Sequence, residues 1–135
     1  MSLVKALHFE LVSPEMCFFS GTVKSVQLPS ESGYMTVLIG HDYTLTTIRA
    51  GIIKVGLNFE DCHQYVIIDG ICDIMPYRCT VLSENILLMD ETCLQELDNR
   101  INKARSSLDN IFDVDQRSQM QQLLLDLSYL RSQIT

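Results

Sequence analysis

The sequence predicts a mainly β domain, an antiparallel sandwich or barrel, with an α-helical C-terminus. Three observations support this fold class. Short runs rich in β-branched and aromatic residues continue to Met89, with Gly, Pro, Asn and Asp between them, as is typical of closely spaced strands. From Asp90 onward the apolar residues recur every three or four positions, which is the helical period. The length of 135 residues allows a substantial buried core.

The predicted strands follow one another at close spacing. Apolar and polar residues alternate from Leu7 to Val12, which predicts a half-buried strand with His8 on its polar side. Ser20-Gly21 is expected to form a turn, and Pro29 to end a strand. Asp69-Gly70 predicts a hairpin turn between the strands on either side of it. The remaining strand candidates are residues 17–19, 23–28, 34–39, 43–49, 52–55, 64–68, 71–75, 77–82 and 86–89.

Two loops in the stretch from Gly21 to Gly51 form the most distinctive surface feature. They lie at Glu31 to Tyr34 and at Ile39 to Tyr43. Tyr, Met and His side chains on the loops of a rigid sheet are typical of protein interfaces. The sequence therefore predicts contact residues there, although Met35 and Leu38 fit interior positions equally well. The candidates are Tyr34, Met35, Leu38 and His41.

Two amphipathic helices are predicted in the C-terminal part, with Asp90 and Thr92 placed to cap the first. The pattern breaks at residues 110–113, and Asp113 stands three residues before Gln116, as in a capping box. A short connection between two helices predicts an antiparallel hairpin. The apolar stripes expected to pack are Leu94, Leu97, Ile101, Ala104 and Leu108 in the first helix, and Met120, Leu123, Leu124, Leu127 and Leu130 in the second.

The composition of the chain limits which partners it can bind and where in the cell it is expected. The net charge of −7 is spread along the chain without a basic stripe, which argues against a nucleic-acid partner because phosphate contacts need clustered Lys and Arg. No window approaches the ~20 apolar residues of a spanning helix, and residues 1–9 lack a signal-peptide core. We therefore expect a soluble, cytoplasmic protein without direct membrane insertion. The five irregularly spaced cysteines predict buried thiols in a reducing compartment.

Motifs that carry catalysis are missing from the sequence, which has no phosphate loop, nucleophile elbow, zinc-protease helix motif or Cys-x-x-Cys pair. The adjacent pair Cys62-His63 has no second ligand pair at finger spacing, and His41-Asp42 lacks a serine in a strained turn. The sequence therefore predicts no catalytic residue, no metal site and no cofactor. A small sandwich enzyme that uses His41 or Cys62 is the least favoured hypothesis.

Several short motifs occur in order along the chain before the helices. They are Ser13-Pro14-Glu15, Phe19-Ser20-Gly21-x-Val23, the turn that ends in Gly33, Val37-Leu38-x-Gly40-His41 and Thr47-x-x-x-Gly51. In this order, and followed by a helical hairpin, they resemble the epsilon subunits of bacterial F-type ATP synthases, whose mitochondrial counterpart is named delta. The resemblance covers the whole chain, with residues 1–89 as a β-sandwich domain and residues 90–135 as a helix-loop-helix domain.

The resemblance implies a two-sheet antiparallel β-sandwich of about ten strands and a non-catalytic subunit of the central rotor stalk. The implied partners are the gamma subunit and the c-ring of the membrane sector, and, through the C-terminal helices, the alpha and beta subunits. The implied location is peripheral, on the cytoplasmic side of the bacterial inner membrane. Family hairpins lie folded or extend to inhibit ATP hydrolysis. The implied gamma and c-ring contacts are Glu31, Tyr34, Met35, Leu38, His41 and Asp42.

The chain departs from the usual family pattern in its loop and in its first helix. Ile39 stands where Pro is common, Asp42-Tyr43 replaces Ala-Pro, and Thr36 replaces a second Gly, so the c-ring contacts are expected to differ. The ATP-binding motif of some relatives falls at residues 92–97, which lack its Asp and Arg. We therefore expect no ATP binding by that route, and the few basic residues of the second helix predict weak inhibition.

An alternative from a different class is a free cytoplasmic β-sandwich binding module. Such a module would homodimerise through the leucine stripes of its helical hairpin. A stable dimer held by residues 90–135 would favour this alternative over a stalk subunit.

Overall fold

The computed structural model describes residues 6–58 and 60–134. The chain divides into two compact units, Met1–Leu87 and Leu88–Thr135. The elements are β1 (Leu7–Val12), β2 (Cys17–Val23), β3 (Ser25–Ser30), β4 (Gly33–Val37), β5 (Thr44–Ile48), β6 (Gly51–Gly56), β7 (Cys62–Ile67), β8 (Gly70–Met75), β9 (Arg78–Leu82), β10 (Ile86–Leu88), α1 (Cys93–Leu108) and α2 (Val114–Ile134). The mainly β fold class and the two C-terminal helices predicted from the sequence are confirmed.

In the part of the chain that the structure describes, ten strands form one hydrogen-bonded sheet, in which nine strands follow one path and β4 pairs with β3 beside it. The sheet consists of two five-stranded halves. One half has the order β10-β7-β6-β3-β4 and the other has the order β5-β8-β9-β1-β2. The halves are joined between β3 and β5 through the bridge of Ser30 with Ile48. Most pairs are antiparallel, but β1 lies parallel to β9.

Side chains from both halves fill a single core inside the sandwich. Phe9 and Val81 come from one half, whereas Leu28 and Ile53 come from the other, and none of the four is exposed. The strict alternation of buried and partly exposed residues along β1 explains why its limits match the prediction from the sequence.

Two sequence signals, one for a turn and one for the end of a strand, have a different outcome from the one predicted. Ser20-Gly21 is not a turn: both residues lie inside β2, where Gly21 pairs with Phe9 of β1. The continuous ladder with β1 therefore outweighs the turn preference of the dipeptide. Pro29 does not end β3: it pairs with Tyr34 of β4, and its carbonyl accepts a hydrogen bond from the Arg49 amide.

The predicted hairpin at Asp69-Gly70 is wrong. The strand before it, β7, pairs with β6 and β10, and the strand after it, β8, pairs with β5 and β9, so the chain crosses here from one half of the sandwich to the other. The crossing is held by side chains. The Asp69 carboxylate accepts hydrogen bonds from Asn85 Nδ2 at 3.1 Å and from Ser83 Oγ at 3.3 Å.

The expectation of buried thiols is met by three of the five cysteines. Cys17 and Cys62 are exposed at the ends of their strands, whereas the others are buried. The Sγ atoms of Cys72 and Cys79 lie 3.6 Å apart in the sandwich core. The hydrogen bond to Cys79, together with burial, raises the pKa of Cys72. Burial and the raised pKa both disfavour the thiolate, which is the nucleophilic form.

The helical hairpin buries one face of each helix. Asp90 and Thr92 were both predicted to cap α1. Thr92 is the N-cap residue, but its side chain makes no capping hydrogen bond to the helix; its amide and hydroxyl donate to the carboxylate of Asp90. Of the stripe residues, Leu97, Ile101, Ala104, Leu127 and Leu130 are buried, whereas Leu94, Leu108, Met120, Leu123 and Leu124 are half-buried. Buried Cys93 starts the stripe of α1 in place of Leu94.

An ion pair joins the two helices. The guanidinium of Arg131 in α2 donates two hydrogen bonds to the carboxylate of Asp98 in α1. These bonds lower the pKa of Asp98. Because the folded-state pKa lies below the unfolded value of about 3.9, the pair stabilises the hairpin above that pH. This contribution is lost as the pH falls through the folded-state pKa.

We therefore expect Asp98→Asn to lower the thermal stability of the helices at pH 6 and to lower it less near pH 2, because the contribution of the ion pair decreases as the pH falls. The helical circular dichroism signal measures this. Asp109→Asn is the control, since it removes a carboxylate from the end of α1 and keeps the pair. An equal loss at both pH values would mean that the ion pair is not the cause.

Candidate protein interface

The predicted contact residues of β4 divide between its two faces. Tyr34 and Thr36 point outward and are exposed, and Leu38, directly after the strand, is also exposed. Met35 packs against the core, and Val37 is fully buried. Met35 is therefore a packing residue in this fold, while Thr36, which the sequence prediction omitted, belongs to the outer face. Because side chains alternate between the two faces of a strand, the sequence could have placed Met35 on the inner face and Thr36 on the outer face.

The two predicted loops lie at opposite ends of β4. At a rise of about 3.3 Å per residue, the five residues of this strand separate the loops by roughly 15 Å. Glu31 is exposed in the turn between β3 and β4. That turn is closed by Ser30 Oγ, which donates to the Gly33 carbonyl at 2.7 Å, and Gly33 has a positive φ of 116°.

Backbone and side-chain hydrogen bonds hold the loop between β4 and β5. The Gly40 amide donates to the Pro76 carbonyl at 2.7 Å, which ties the loop to the turn between β8 and β9. Gly40 has a φ of 86°, a value that favours glycine. His41 Nδ1 and Thr44 Oγ1 both donate to the carbonyl of Asp42, at 2.7 and 3.1 Å. The Asp42 side chain is exposed.

An exposed apolar surface surrounds this loop. Tyr43 is 76% exposed, and β5 begins directly after it, where Thr44 pairs with Ile74 beside Met75. Large apolar side chains that cluster at one end of a sheet are typical of interaction sites. We call this cluster the loop surface. It comprises Leu38, Ile39, Tyr43, Met75 and Tyr77, all exposed.

A second exposed apolar cluster lies on the outer face of β5, β8 and β9. Leu45 is 75% exposed, and Ile71 and Leu82, which pair directly with each other, are about half exposed. Thr47 pairs with Ile71 and Leu45 pairs with the exposed Asp73, so Leu45 lies diagonally across from Ile71 on the same face. We call Leu45, Ile71 and Leu82 the sheet-face patch. The sequence prediction missed all three, because their proximity depends on the pairing of strands that are distant in the chain.

Charged groups border the sheet-face patch on β1 and β9. Arg78 donates a hydrogen bond to Glu10, and His8 Nε2 lies 3.2 Å from the same carboxylate oxygen. The hydrogen bond from Arg78 lowers the pKa of Glu10. His8 is therefore part of a polar rim, in accord with its predicted place on the polar side of β1. An apolar patch with a charged rim is the usual arrangement of a protein interface.

Tyr34 is exposed, but it also has a structural role. Its hydroxyl oxygen accepts a hydrogen bond from the Ile52 amide at 3.0 Å. The same oxygen lies close to Gly51, where an added Cβ would be 2.7 Å from it. Tyr34 thus fastens β4 to the start of β6.

We expect Tyr34→Phe to lower the free energy of unfolding of the sandwich by about 0.5 kcal/mol. This is the lower end of the range for one hydrogen bond, because the Tyr34 hydroxyl is partly exposed. Faster hydrogen exchange of the Ile52 amide, measured by NMR, is the specific readout. Thr36→Val, which alters the same outer face without touching that bond, is the control. Unchanged Ile52 exchange in Tyr34→Phe would contradict the assignment.

The residues considered for catalysis or metal binding do not come together in a site. Cys62 and His63 are successive residues of β7, whose side chains point to opposite faces, and His63 stacks near Phe19. Within residues 6–58 and 60–134, no group of three or more His, Cys, Asp or Glu could hold a metal ion. In the same residues, no helix is long and apolar enough to cross a membrane.

Comparison with known proteins identifies the family. The family model described as "ATP synthase, Delta/Epsilon chain, beta-sandwich domain" matches residues 6–89. The chain is 36% identical to the ATP synthase epsilon chain of Sinorhizobium medicae over 128 residues, 95% of each chain. It is also 36% identical to that of Brucella anthropi over 98% of each chain.

Solved structures show the same fold. A chain in the mitochondrial ATP synthase of Euglena gracilis, in a structure of its OSCP, F1 and c-ring, aligns with a TM-score of 0.76 at 20% identity, covering 100% of this chain and 85% of that one. A chain in the central stalk and c-ring of the Tetrahymena thermophila enzyme aligns with a TM-score of 0.55. The family match and the relatives together establish that this chain belongs to the delta/epsilon family of ATP synthase subunits.

Proposed function

We propose that the chain is a non-catalytic subunit of the central rotor stalk, which links the gamma subunit to the c-ring of the membrane sector. Family membership supports this role. The observation that carries it is the presence of two exposed apolar surfaces on one rigid sandwich. A subunit that transmits torque needs a stiff body with separate contacts to two neighbours, whereas a monomeric protein rarely exposes such surfaces.

The sheet-face patch is the proposed gamma contact. It offers Leu45, Ile71 and Leu82 on paired strands, so its shape is fixed by the hydrogen-bonded sheet. The ion pair of Arg78 with Glu10 lies on the neighbouring strands. Burial of the apolar side chains would supply most of the affinity, and the charged rim would orient the partner.

The loop surface, with His41 and Asp42, is the proposed c-ring contact. The hydrogen bond from Gly40 to the Pro76 carbonyl holds this loop, so that contact would cost little ordering entropy. The proposal retains Leu38, His41 and Asp42 from the sequence prediction, adds Ile39 and Tyr43, and removes Met35 because it packs inward. Glu31 and Tyr34, at the far end of β4, would form a separate contact.

The helical hairpin is the proposed regulatory part. It forms its own compact unit, and the Asp98 to Arg131 pair lies within it, so the hairpin could change position as a body. Contact with the alpha and beta subunits would then regulate ATP hydrolysis. The subunit would be peripheral, on the cytoplasmic side of the bacterial inner membrane, and held there by its partners.

The test is assembly from purified parts. We expect the chain to be retained by detergent-solubilised c-ring when gamma is present, and a Tyr43→Ser variant to lose this retention while it still binds gamma. Multi-angle light scattering of the free chain tests the alternative module. A stable homodimer that excludes gamma would support the alternative and contradict the stalk role.

A further inference from the structure

We propose that the tip of the helical hairpin is a docking anchor, which inserts Phe112 into an apolar pocket with a Lys or Arg rim on a neighbouring subunit of the ATP synthase. The inference rests on the proposed function for the identity of the assembly. The chemistry of the pocket follows from the side chains between α1 and α2.

The tip exposes large apolar side chains. Phe112 is 92% exposed and Val114 is 74% exposed, one on either side of Asp113. A single exposed leucine on a helix needs no explanation, but an aromatic ring that stands almost entirely in water at a loop is informative. Aromatic side chains that fill a partner's pocket are the commonest energetic anchors of interfaces.

Hydrogen bonds hold the loop that carries Phe112. Arg117 Nη1 donates to the Leu108 carbonyl at the end of α1 and to the Ile111 carbonyl in the loop. The Asp113 carboxylate accepts from the Asp115 amide, and its carbonyl accepts from the Arg117 amide. An anchor that is already fixed loses little entropy on binding, so the exposed ring is presented in a defined place.

Charge specifies the partner. Asp109, Asp113 and Asp115 surround the apolar tip and are all exposed. The Arg117 guanidinium is directed at backbone carbonyls. The tip therefore presents an apolar ring within negative charge, which complements a pocket with a basic rim. The same charge opposes docking on a second copy of this acidic tip or on an anionic lipid surface.

Photo-crosslinking in the assembled enzyme tests the proposal. A photoreactive p-benzoylphenylalanine replaces Phe112 in the full, affinity-tagged chain, which is incorporated into ATP synthase, irradiated and digested for mass spectrometry. We expect one crosslinked peptide, from another subunit, with Lys or Arg near the attachment point. Asp109→Lys in the same chain should lower the crosslink yield several-fold, because it removes the charge complementarity.

The same photoreactive residue at Tyr129, 65% exposed on α2, is the matched control and should not label that peptide. Co-purification of gamma with the tag reports the proposed function separately. Gamma present without a crosslink from position 112, or a crosslink to a second copy of this chain, to lipid or to an acidic site, overturns the docking anchor alone. Loss of gamma and of the other subunits overturns both proposals.

Discussion

Replacing Phe9 by alanine is expected to destabilise the sandwich by about 3–5 kcal/mol, the usual cost of removing a fully buried ring. Phe9 is 0% exposed and lies in the middle of β1, between Gly21 of β2 and Cys79 of β9. Its ring also stacks near Phe19, with 5.8 Å between ring centroids. The strands on both sides hold the backbone in place, so the cavity could not collapse.

Urea denaturation followed by tyrosine fluorescence measures this effect, since the chain has five Tyr and no Trp. Phe112→Ala is the matched control. It removes the same ring from a 92% exposed position and should change the free energy of unfolding by no more than about 0.5 kcal/mol. A loss under 1 kcal/mol for Phe9→Ala would mean that β1 is not central to the core.

Replacing Leu45 by glutamate is expected to weaken gamma binding about 30-fold or more. A central interface residue carries about 2 kcal/mol or more, and a glutamate would also bury an unpaired charge against gamma. Leu45 is 75% exposed in the free chain, so the fold should be unaffected. Surface plasmon resonance with immobilised gamma would give the dissociation constant, and the melting temperature would report the fold.

Met16→Glu is the control for this prediction. Met16 is 54% exposed and lies in the turn between β1 and β2, outside the sheet-face patch and the loop surface. The Met16→Glu substitution introduces the same charge elsewhere on the sandwich and should leave the affinity for gamma unchanged. If Met16→Glu and Leu45→Glu weakened binding equally, general charge repulsion rather than the patch would be responsible.

Local pattern predicted the elements well where each residue's environment follows from its immediate neighbours. The alternation from Leu7 to Val12 gave the limits of β1, because one face of that strand is buried along its whole length. The stripe of Leu97 and Ile101 likewise located the buried face of α1. The hairpin predicted at Asp69-Gly70 was wrong because tertiary contacts determine which strands pair. Here β7 pairs with β6 on one side and β10 on the other, so it does not pair with β8.

The candidate interface was predictable only in part, for the same physical reason. Gly40 and His41 could be placed in a loop from composition, and the exposed Leu38 and Asp42 lie beside them. The sheet-face patch could not be found, since Leu45 and Ile71 become diagonal neighbours only through the register of β5 with β8, which pairs Leu45 with Asp73 and Thr47 with Ile71. No local signal in the sequence specifies that register.

The most direct test of the stalk assignment is an isothermal calorimetric titration of the full chain with purified gamma subunit. The account predicts a saturable one-to-one complex with a negative heat-capacity change, because an apolar patch is buried. Absence of binding between two proteins that are both shown to be folded would contradict it.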